Sequence, residues 1–399
     1  MMKPVKIIRD PIHGNISLSD FEVALIDSKQ MQRLRNVKQN GFCYLVYPAM
    51  NSTRFEHSLG VMHLAGLLAS HLSLSEQETL YLKSAALLHD VGHPPFSHSS
   101  DSLLSKMGFS HETNSSRIVQ KTEVSDILKD RGLKPKAVSD IILGKGVLGK
   151  IVASEIDVDK MDYLIRDAYY AGVAYGVIDL QRVLYNIKLM KDDVIIDARG
   201  LEAVEFLLIS RNMMYQTVYR HHTKRIAEAM FTRALGDMIR KGLSVRSLLD
   251  MDDISLTQMM RSSKGYSREI AGRLDYRRLF KSVFQENVTA LTESTKAELD
   301  ENAMQIEAKI TKDFRIKKGF LLLDYPEPKF SEFRIKVEHD GDFKTIDEVS
   351  PLAKSLEHSE VEKLTVNVYV SPEETGKFKR FNPEKYLNYA QTSIKKYLP

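Results

Sequence analysis

The sequence contains a single cysteine, Cys43, and no tryptophan. One cysteine excludes an intrachain disulfide, a thiolate zinc cluster and a CxxC redox pair, and it is the usage expected in a reducing compartment. Runs of about eighteen apolar residues, the length of a membrane span, are also missing, and Met1-Met2-Lys3-Pro4-Val5-Lys6 lacks the apolar core of a signal peptide. A cytoplasmic chain with no membrane partner is expected. Charge of one sign is scarce too: a net +4 over 399 residues is too little to demand nucleic acid or an anionic surface. What is present is 43% hydrophobic and 28% charged, the composition of a chain that folds, with room for two to three domains of roughly 150 residues.

Apolar residues recur at helical spacing from about Ser19 to about Met230, as in Val61, Leu64, Ala65 and Leu68 or in Leu82, Ala85, Ala86 and Leu88. Asn51-Ser52-Thr53 supplies capping side chains for a helix through about Leu72, and Ser75 with Glu78 forms a capping box for the next. His89-Asp90-Val91-Gly92-His93-Pro94-Pro95 ends that second helix, because Gly92 permits a bend and two prolines cannot continue the ladder. Beyond about Asp250 come a polar helical stretch near Ala297 to Ile310 and extended runs at Gly319 to Leu323, Phe333 to Val337 and Leu364 to Val370. Period-two alternation in the last predicts a half-buried strand. An acidic turn is expected at His339-Asp340-Gly341-Asp342, and a terminal helix after Asn382-Pro383. The expected fold is mainly α, with a helical domain over residues 1–250 and a smaller α+β unit over 251–399.

His57, the adjacent pair His89-Asp90, and Asp159 place two imidazoles and two carboxylates where helices end or turn. Such an N2O2 set suits a divalent ion and leaves positions open for water and a substrate oxygen. Composition does not distinguish Mn, Fe, Mg, Zn or Ni. Two other motifs are set aside. Gly144 to Lys150 has P-loop spacing but is followed by Ile151, not a metal-binding hydroxyl. Asp157-Val158-Asp159 begins like a calcium loop but has Asp162 where the turn glycine belongs.

Several strings carry a resemblance: Asp10-Pro11-Ile12-His13-Gly14, Gln32-Arg33-Leu34-Arg35, Arg54 to Gly60, His89 to His93 running on to His98, His111-Glu112, and Asp157 to Tyr163. In order and spacing they resemble the HD-domain metal-dependent phosphohydrolases, and most of all the branch containing the SAM-and-HD-domain deoxynucleoside triphosphate triphosphohydrolase. The resemblance implies a helical HD core over the first part of the chain, a C-terminal regulatory or oligomerisation region, and His57, His89, Asp90 and Asp159 as metal ligands. It places His98, Asp101, His111 and Glu112 among the proton-transfer groups. His111 is the preferred general acid, oriented by Glu112, and His98 competes with it. His93, Arg54, Lys160, Tyr163 and Arg211 fall on phosphate-facing positions, and Gln39, Asp167 and Tyr219 on positions that hold the sugar.

The plainer account of these residues is that His93 and His98 satisfy backbone groups around the Pro-rich turn, Arg211 and Arg220 are solvated, and Tyr163 and Tyr219 are core. Asn40 and Arg220 depart from the mammalian pattern beside the base, so a nucleotide other than a standard dNTP is an alternative substrate. Lys6, Asp27, Gln32, Arg35, Arg277 and Lys281 match positions for an activating GTP or dNTP, which implies a nucleotide-regulated homo-oligomer, dimer or tetramer. The remaining alternatives are an HD phosphatase or phosphodiesterase and a nucleotide-sensing protein that binds nucleic acid, the last disfavoured by the intact ligand set.

Overall fold

The computed structural model describes residues 4–191, 193–325, 334–339 and 341–390. Phe333, Asp340 and the stretch after 390 lie outside them, and with them part of one extended run, the acidic turn and the expected terminal helix. Within the described residues Asn382-Pro383 opens only a 3-10 turn at Pro383–Lys385.

Strands β1 (Lys6–Asp10) and β2 (Gly14–Leu18) form an antiparallel hairpin. The helices that build the site follow: α1 (Arg54–His71), α2 (Glu76–Leu88), α3 (His98–Ser105), α4 (His111–Lys121) and α5 (Val158–Ala171). The Ser75–Glu78 capping box is made in both directions, and His89 caps the C-terminus of α2. Thr53 precedes α1 as expected, but its hydroxyl turns to Glu56 and caps no backbone N–H.

The rest is α6 (Leu201–Met214), α7 (His222–Arg240), α8 (Glu293–Asp313) and α9 (Pro351–Glu362), with small sheets between them. Strands β3 (Ile187–Met190), β4 (Asp193–Asp197), β7 (Lys336–His339) and β8 (Asp342–Thr345) make one sheet, with β4 and β7 parallel. Strands β5 (Lys281–Asn287), β9 (Thr365–Val370) and β6 (Leu321–Asp324) make another, all antiparallel. The mainly α architecture with a C-terminal α+β part is as expected. Strand β9 differs: Val366 through Val370 are all buried, because β9 is the central strand and both of its faces are covered. No described helix is long and apolar enough to cross a membrane.

Two cores form, and they interleave along the chain. The first joins Leu59, Leu87 and Leu164 to Val337, Ile346 and Ala353 from the C-terminal part. The second joins Phe42, Phe96 and Phe231 to Leu256, Ile306 and Val368. A division at residue 250 therefore follows chain order and not the two cores.

Asp253 accepts the backbone N–H of Phe96, in the second core, at 2.7 Å and of Lys38, next to Val37 of the first, at 3.0 Å. Burial raises its pKa to about 6 in spite of those bonds. A raised carboxyl contributes stability that is complete below the unfolded value near 4 and lost as pH rises through about 6, at ~1.4 kcal/mol per unit. The stability difference between the native chain and Asp253→Asn, read from urea unfolding, should therefore move in favour of the native chain as pH falls from 7 to 5. A difference independent of pH refutes it.

Candidate metal centre and active site

Helix α1 presents His57 in its first turn, α2 ends on His89-Asp90, and α5 carries Asp159 in its first turn. His57 Nε2 lies 2.9 Å from Asp159 Oδ1 and 3.6 Å from Asp90 Oδ2, while His89 Nε2 lies 3.3 Å from Asp90 Oδ1 and 3.8 Å from Asp159 Oδ1. The ligand atoms of His57, His89 and Asp90 fall within 4.8 Å of one another. Each imidazole has its other nitrogen engaged: His57 Nδ1 donates to Asp162 at 2.8 Å and His89 Nδ1 to the Ala86 carbonyl at 2.7 Å. Those bonds fix the tautomer and leave both Nε2 atoms buried, without a hydrogen bond, beside two carboxylates. The residues thus fit a divalent cation. Burial would lower the His57 pKa, but the carboxylates of Asp159 and Asp162 on either side of the ring outweigh it and lift the value to about 10, a measure of the negative field there.

Behind His57 lies a network built from Asp10, His13, Asp162 and Arg166. Asp162 accepts from His57, from His13 Nε2 at 2.6 Å, and from Arg166 Nε and Nη2 at 2.8 and 2.9 Å; Arg166 also donates to Asp10 at 2.8 Å. Gly60 lacks a side chain because a Cβ there would overlap Asp162 and come within 2.5 Å of Arg166. The positions i, i+3 and i+7 of Asp159, Asp162 and Arg166 mark one face of a helix. That the β1–β2 hairpin would reach this face is a tertiary fact.

The groups expected to handle protons lie on the other side of Asp90. His93 Nε2 is 3.2 Å from Asp90 Oδ1, and its ring stacks on His111 at 3.8 Å and 16°. Asp90, His93 and His111 have the spacing of a second ligand set. Near-parallel rings send their lone pairs in parallel, however, so the two imidazoles are poorly arranged to converge on one ion. Burial, with Arg54 and His111 adding positive charge, holds His93 well below the usual imidazole range, so a neutral ring faces His111. The Nδ1 of His111 pairs with Asp101, while its Nε2 is 3.3 Å from the half-exposed Glu112. Asp101 is thus the more tightly held orienting group. His98 contacts Arg54 Nη2 at 3.3 Å and meets His93 edge-on.

Gly92 serves this packing through contact, not through a bend. Its φ is not positive, and a Cβ would overlap the Ser115 amide and the His111 carbonyl on α4. Gly92→Ala should push α4 away and part His111 from Asp90 and His93. A displacement near 1 Å lowers kcat by about a hundredfold with metal content retained. Native kcat in that variant would show the contact to be dispensable.

The cations expected at phosphate all have internal carboxylate partners. Arg54 pairs with Asp90 and donates to Ser97 Oγ at 2.7 Å. Lys160 bonds the Ser154 carbonyl and Asp157. Arg211 and Arg220 are not the solvated arginines of the plainer account: Arg211 is 1% exposed, and both donate to Glu360, at 3.1 and 3.2 Å. Asp159, Tyr163 and Asp167 form an i, i+4, i+8 stripe along α5. Tyr219 donates to Asp167 at 2.7 Å and lies 6.3 Å from the Tyr163 ring. Asp167 is pushed up to about 6 by burial, and its Oδ1 and Gln39 Oε1 are buried without a hydrogen bond. A cavity of about 360 Å³ is walled by His89, Asp90, His111, Glu112, Asp159 and Lys160 among others; Arg211 and Arg220 are not in its wall.

The residues expected to bind a regulatory nucleotide are only partly assembled. Gln32 accepts from Arg35 Nε at 2.8 Å, and Arg35 lies 3.7 Å over the Phe55 ring. Lys6, Asp27 and Lys281 are exposed, and Arg277 donates to the Leu45 carbonyl. In the glycine-rich stretch set aside above, Lys150 pairs with Asp193 and Lys145 with Asp140.

A helical core that brings two histidines and two aspartates together at one side of a cavity, with an acid-backed histidine beside them, defines an HD-domain metal-dependent phosphohydrolase. Residues 54–167 match the HD domain and residues 178–397 the HD associated region, and the chain belongs to this family of hydrolases. It is 38% identical over 395 residues to an uncharacterized protein of Methanocaldococcus jannaschii, across 96% of this chain and 83% of that one. It is 29% identical to the human deoxynucleoside triphosphate triphosphohydrolase SAMHD1 over 80% of this chain and 62% of that protein. The Dictyostelium discoideum homolog is 34% identical over 58% and 49%. This chain therefore spans less than two thirds of either triphosphohydrolase. A hypothetical protein of Aquifex aeolicus superposes with a TM-score of 0.78 at 32% identity, covering 94% of this chain and 98% of that one. A Bacteroides thetaiotaomicron phosphohydrolase, at 23% identity and a TM-score of 0.72, shares the fold over 92% and 99%.

Proposed function

We propose that this hydrolase acts on deoxynucleoside triphosphates, releasing deoxynucleoside and inorganic triphosphate by water attack at the α-phosphorus. The observation that carries this reading is one cavity lined by His89, Asp90, Asp159, Lys160 and the Asp101-backed His111, with His57 Nε2 2.9 Å from Asp159 behind that wall. His57, His89, Asp90 and Asp159 would hold a divalent cation, which would supply Lewis-acid polarisation of a phosphoryl oxygen and a more acidic water. Arg54 and Lys160 neutralise charge on the phosphate oxygens. As the α-phosphorus–O5′ bond breaks, His111 gives the proton at Nε2 to the leaving oxygen, and Asp101 at Nδ1 stabilises the imidazolium that precedes transfer. Gln39 and Asp167 offer buried acceptors to sugar hydroxyls.

A second reading, an HD phosphatase or phosphodiesterase on another nucleotide, draws on Asn40 and Arg220 beside the expected base. Metal-loaded protein incubated with a panel of dNTPs, NTPs and monophosphates separates the two, since only the first yields intact triphosphate. Release of orthophosphate or pyrophosphate alone refutes it. Lys6, Asp27, Gln32 and Arg35 support activation by GTP or dNTP with assembly into a dimer or tetramer. Light scattering that shows unchanged mass, at an unchanged rate, under every nucleotide rules that out.

A further inference from the structure

Two prolines follow His93, and they leave the turn after α2 short of hydrogen-bond donors. A carbonyl past a helix end is ordinarily taken up by the N–H three or four residues on. For Val91 those residues are Pro94 and Pro95, which have none. For His93 they are Phe96 and Ser97, whose N–H groups are spent on Asp253 at 2.7 Å and on the Pro94 carbonyl at 3.0 Å. Val91 and His93 are buried, so the missing donor has to come from elsewhere in the chain and not from bulk water.

Arg33, at the end of the short helix Lys29–Arg33, supplies it. Its Nη2 donates to the Val91 carbonyl at 2.9 Å and to the His93 carbonyl at 2.7 Å, and its Nη1 donates to the Met251 carbonyl at 2.6 Å. A guanidinium can serve all three because its N–H bonds diverge in one fixed plane; an ammonium on a flexible stem has no such fork. Burial lowers the Arg33 pKa to about 10 against the pull of Asp250, Asp252 and Asp253, so the charge is kept at neutral pH. The other side of the turn is held by α4, where Asn114 Nδ2 donates to the Gly92 carbonyl at 2.8 Å and Ser115 Oγ to the His89 carbonyl at 2.6 Å. The turn is thus gripped between one arginine and the helix that presents His111.

We infer that Arg33 is a positioning residue for this turn: by taking the Val91 and His93 carbonyls it holds His93 beside Asp90 and against the His111 ring. Asp90 has a hold of its own in the Arg54 ion pair, and His89 is bonded to Ala86 through its ring and to Ser115 through its backbone. The His93 ring meets Asp90 Oδ1 at 3.2 Å and stacks on His111, while its carbonyl is fixed by Arg33. Loss of the fork therefore displaces His93, and with it the His111 ring, before it displaces the metal donors. The inference rests on the general-acid role proposed above for His111 and not on which nucleotide is the substrate.

The test is Arg33→Lys in the full chain, which keeps a positive charge beside the three aspartates and gives up the fork. Its kcat should fall by about a hundredfold, the cost of a displacement near 1 Å, with KM retained and with the affinity for Mn²⁺, measured by competition with a chelator, also retained. The His93 amide, bonded to the Asp90 carbonyl at 3.0 Å, should exchange with deuterium about tenfold faster, while amides in α1 keep their native rates. A merely structural arginine would lower the urea midpoint and speed exchange throughout, with kcat unchanged in the folded chain. Native kcat, native His93 exchange, or a loss of Mn²⁺ affinity as large as the loss of rate each overturns the inference. If the lysine variant does not fold, the native chain decides: the Arg33 Nη protons should resist exchange as the His93 amide does, and exchange at the rate of a solvated arginine refutes the role. If the native chain hydrolyses no dNTP, the dNTP reading fails, and the exchange rates, with kcat on whichever panel nucleotide is hydrolysed, still decide Arg33.

Discussion

His89→Ala abolishes hydrolysis and leaves the fold nearly as stable as before, whereas Asp90→Ala abolishes it and destabilises the chain. His89 offers the metal centre one buried Nε2, and its imidazole donates a hydrogen bond from Nδ1 to the Ala86 carbonyl, so removing the side chain costs about 1 kcal/mol of stability from that bond. Asp90 is also the ion-pair partner of Arg54, whose side chain is 3% exposed. Removing the carboxylate strands a buried guanidinium, a loss of about 3–5 kcal/mol. Turnover in both variants should fall by more than about a hundredfold, the upper end of what loss of a mere outer partner costs. Metal content by atomic absorption and urea unfolding separate the two effects. Full activity in His89→Ala without bound metal would remove the basis for the centre.

Asp162→Asn weakens metal binding although Asp162 touches no metal position. Four donors from His13, His57 and Arg166 converge on its two oxygens. An amide offers one acceptor and turns an N–H₂ toward a donor, so His57 loses the partner that aims its Nε2. The expected fall in metal affinity is about 10- to 100-fold, measured by competition with a chelator. Stability falls as well, by on the order of 3 kcal/mol, because Arg166 is buried and loses one of its two carboxylate partners. Native metal affinity in a folded Asp162→Asn chain would show that His57 is oriented by packing alone.

The elements around the site were legible because their signals are local. The Ser75–Glu78 box and the two prolines after His93 act within a few residues, and they put His89-Asp90 at a helix end as expected. The partners of those residues were less legible. Glu112 was expected to orient His111 because it is adjacent in sequence, yet Asp101 makes the tighter contact from another helix. Gly92 was read as a bend, a property of its own backbone, while its constraint is the approach of α4. Strand β9 was read as half-buried from its alternation, which carries no trace of what covers its polar face.

From residue order alone came the helical class, the capped start of α2, and a donor set of two imidazoles and two carboxylates, since helix periodicity, capping and ligand chemistry are properties of side-chain type and short spacing. Only the folded chain decided which nitrogen of His57 is left open, that a hairpin near the N-terminus braces it, and that a glutamate near the C-terminus covers two arginines. Those are long-range electrostatic pairings, settled by which buried charges have no other way to be compensated once the two cores have closed.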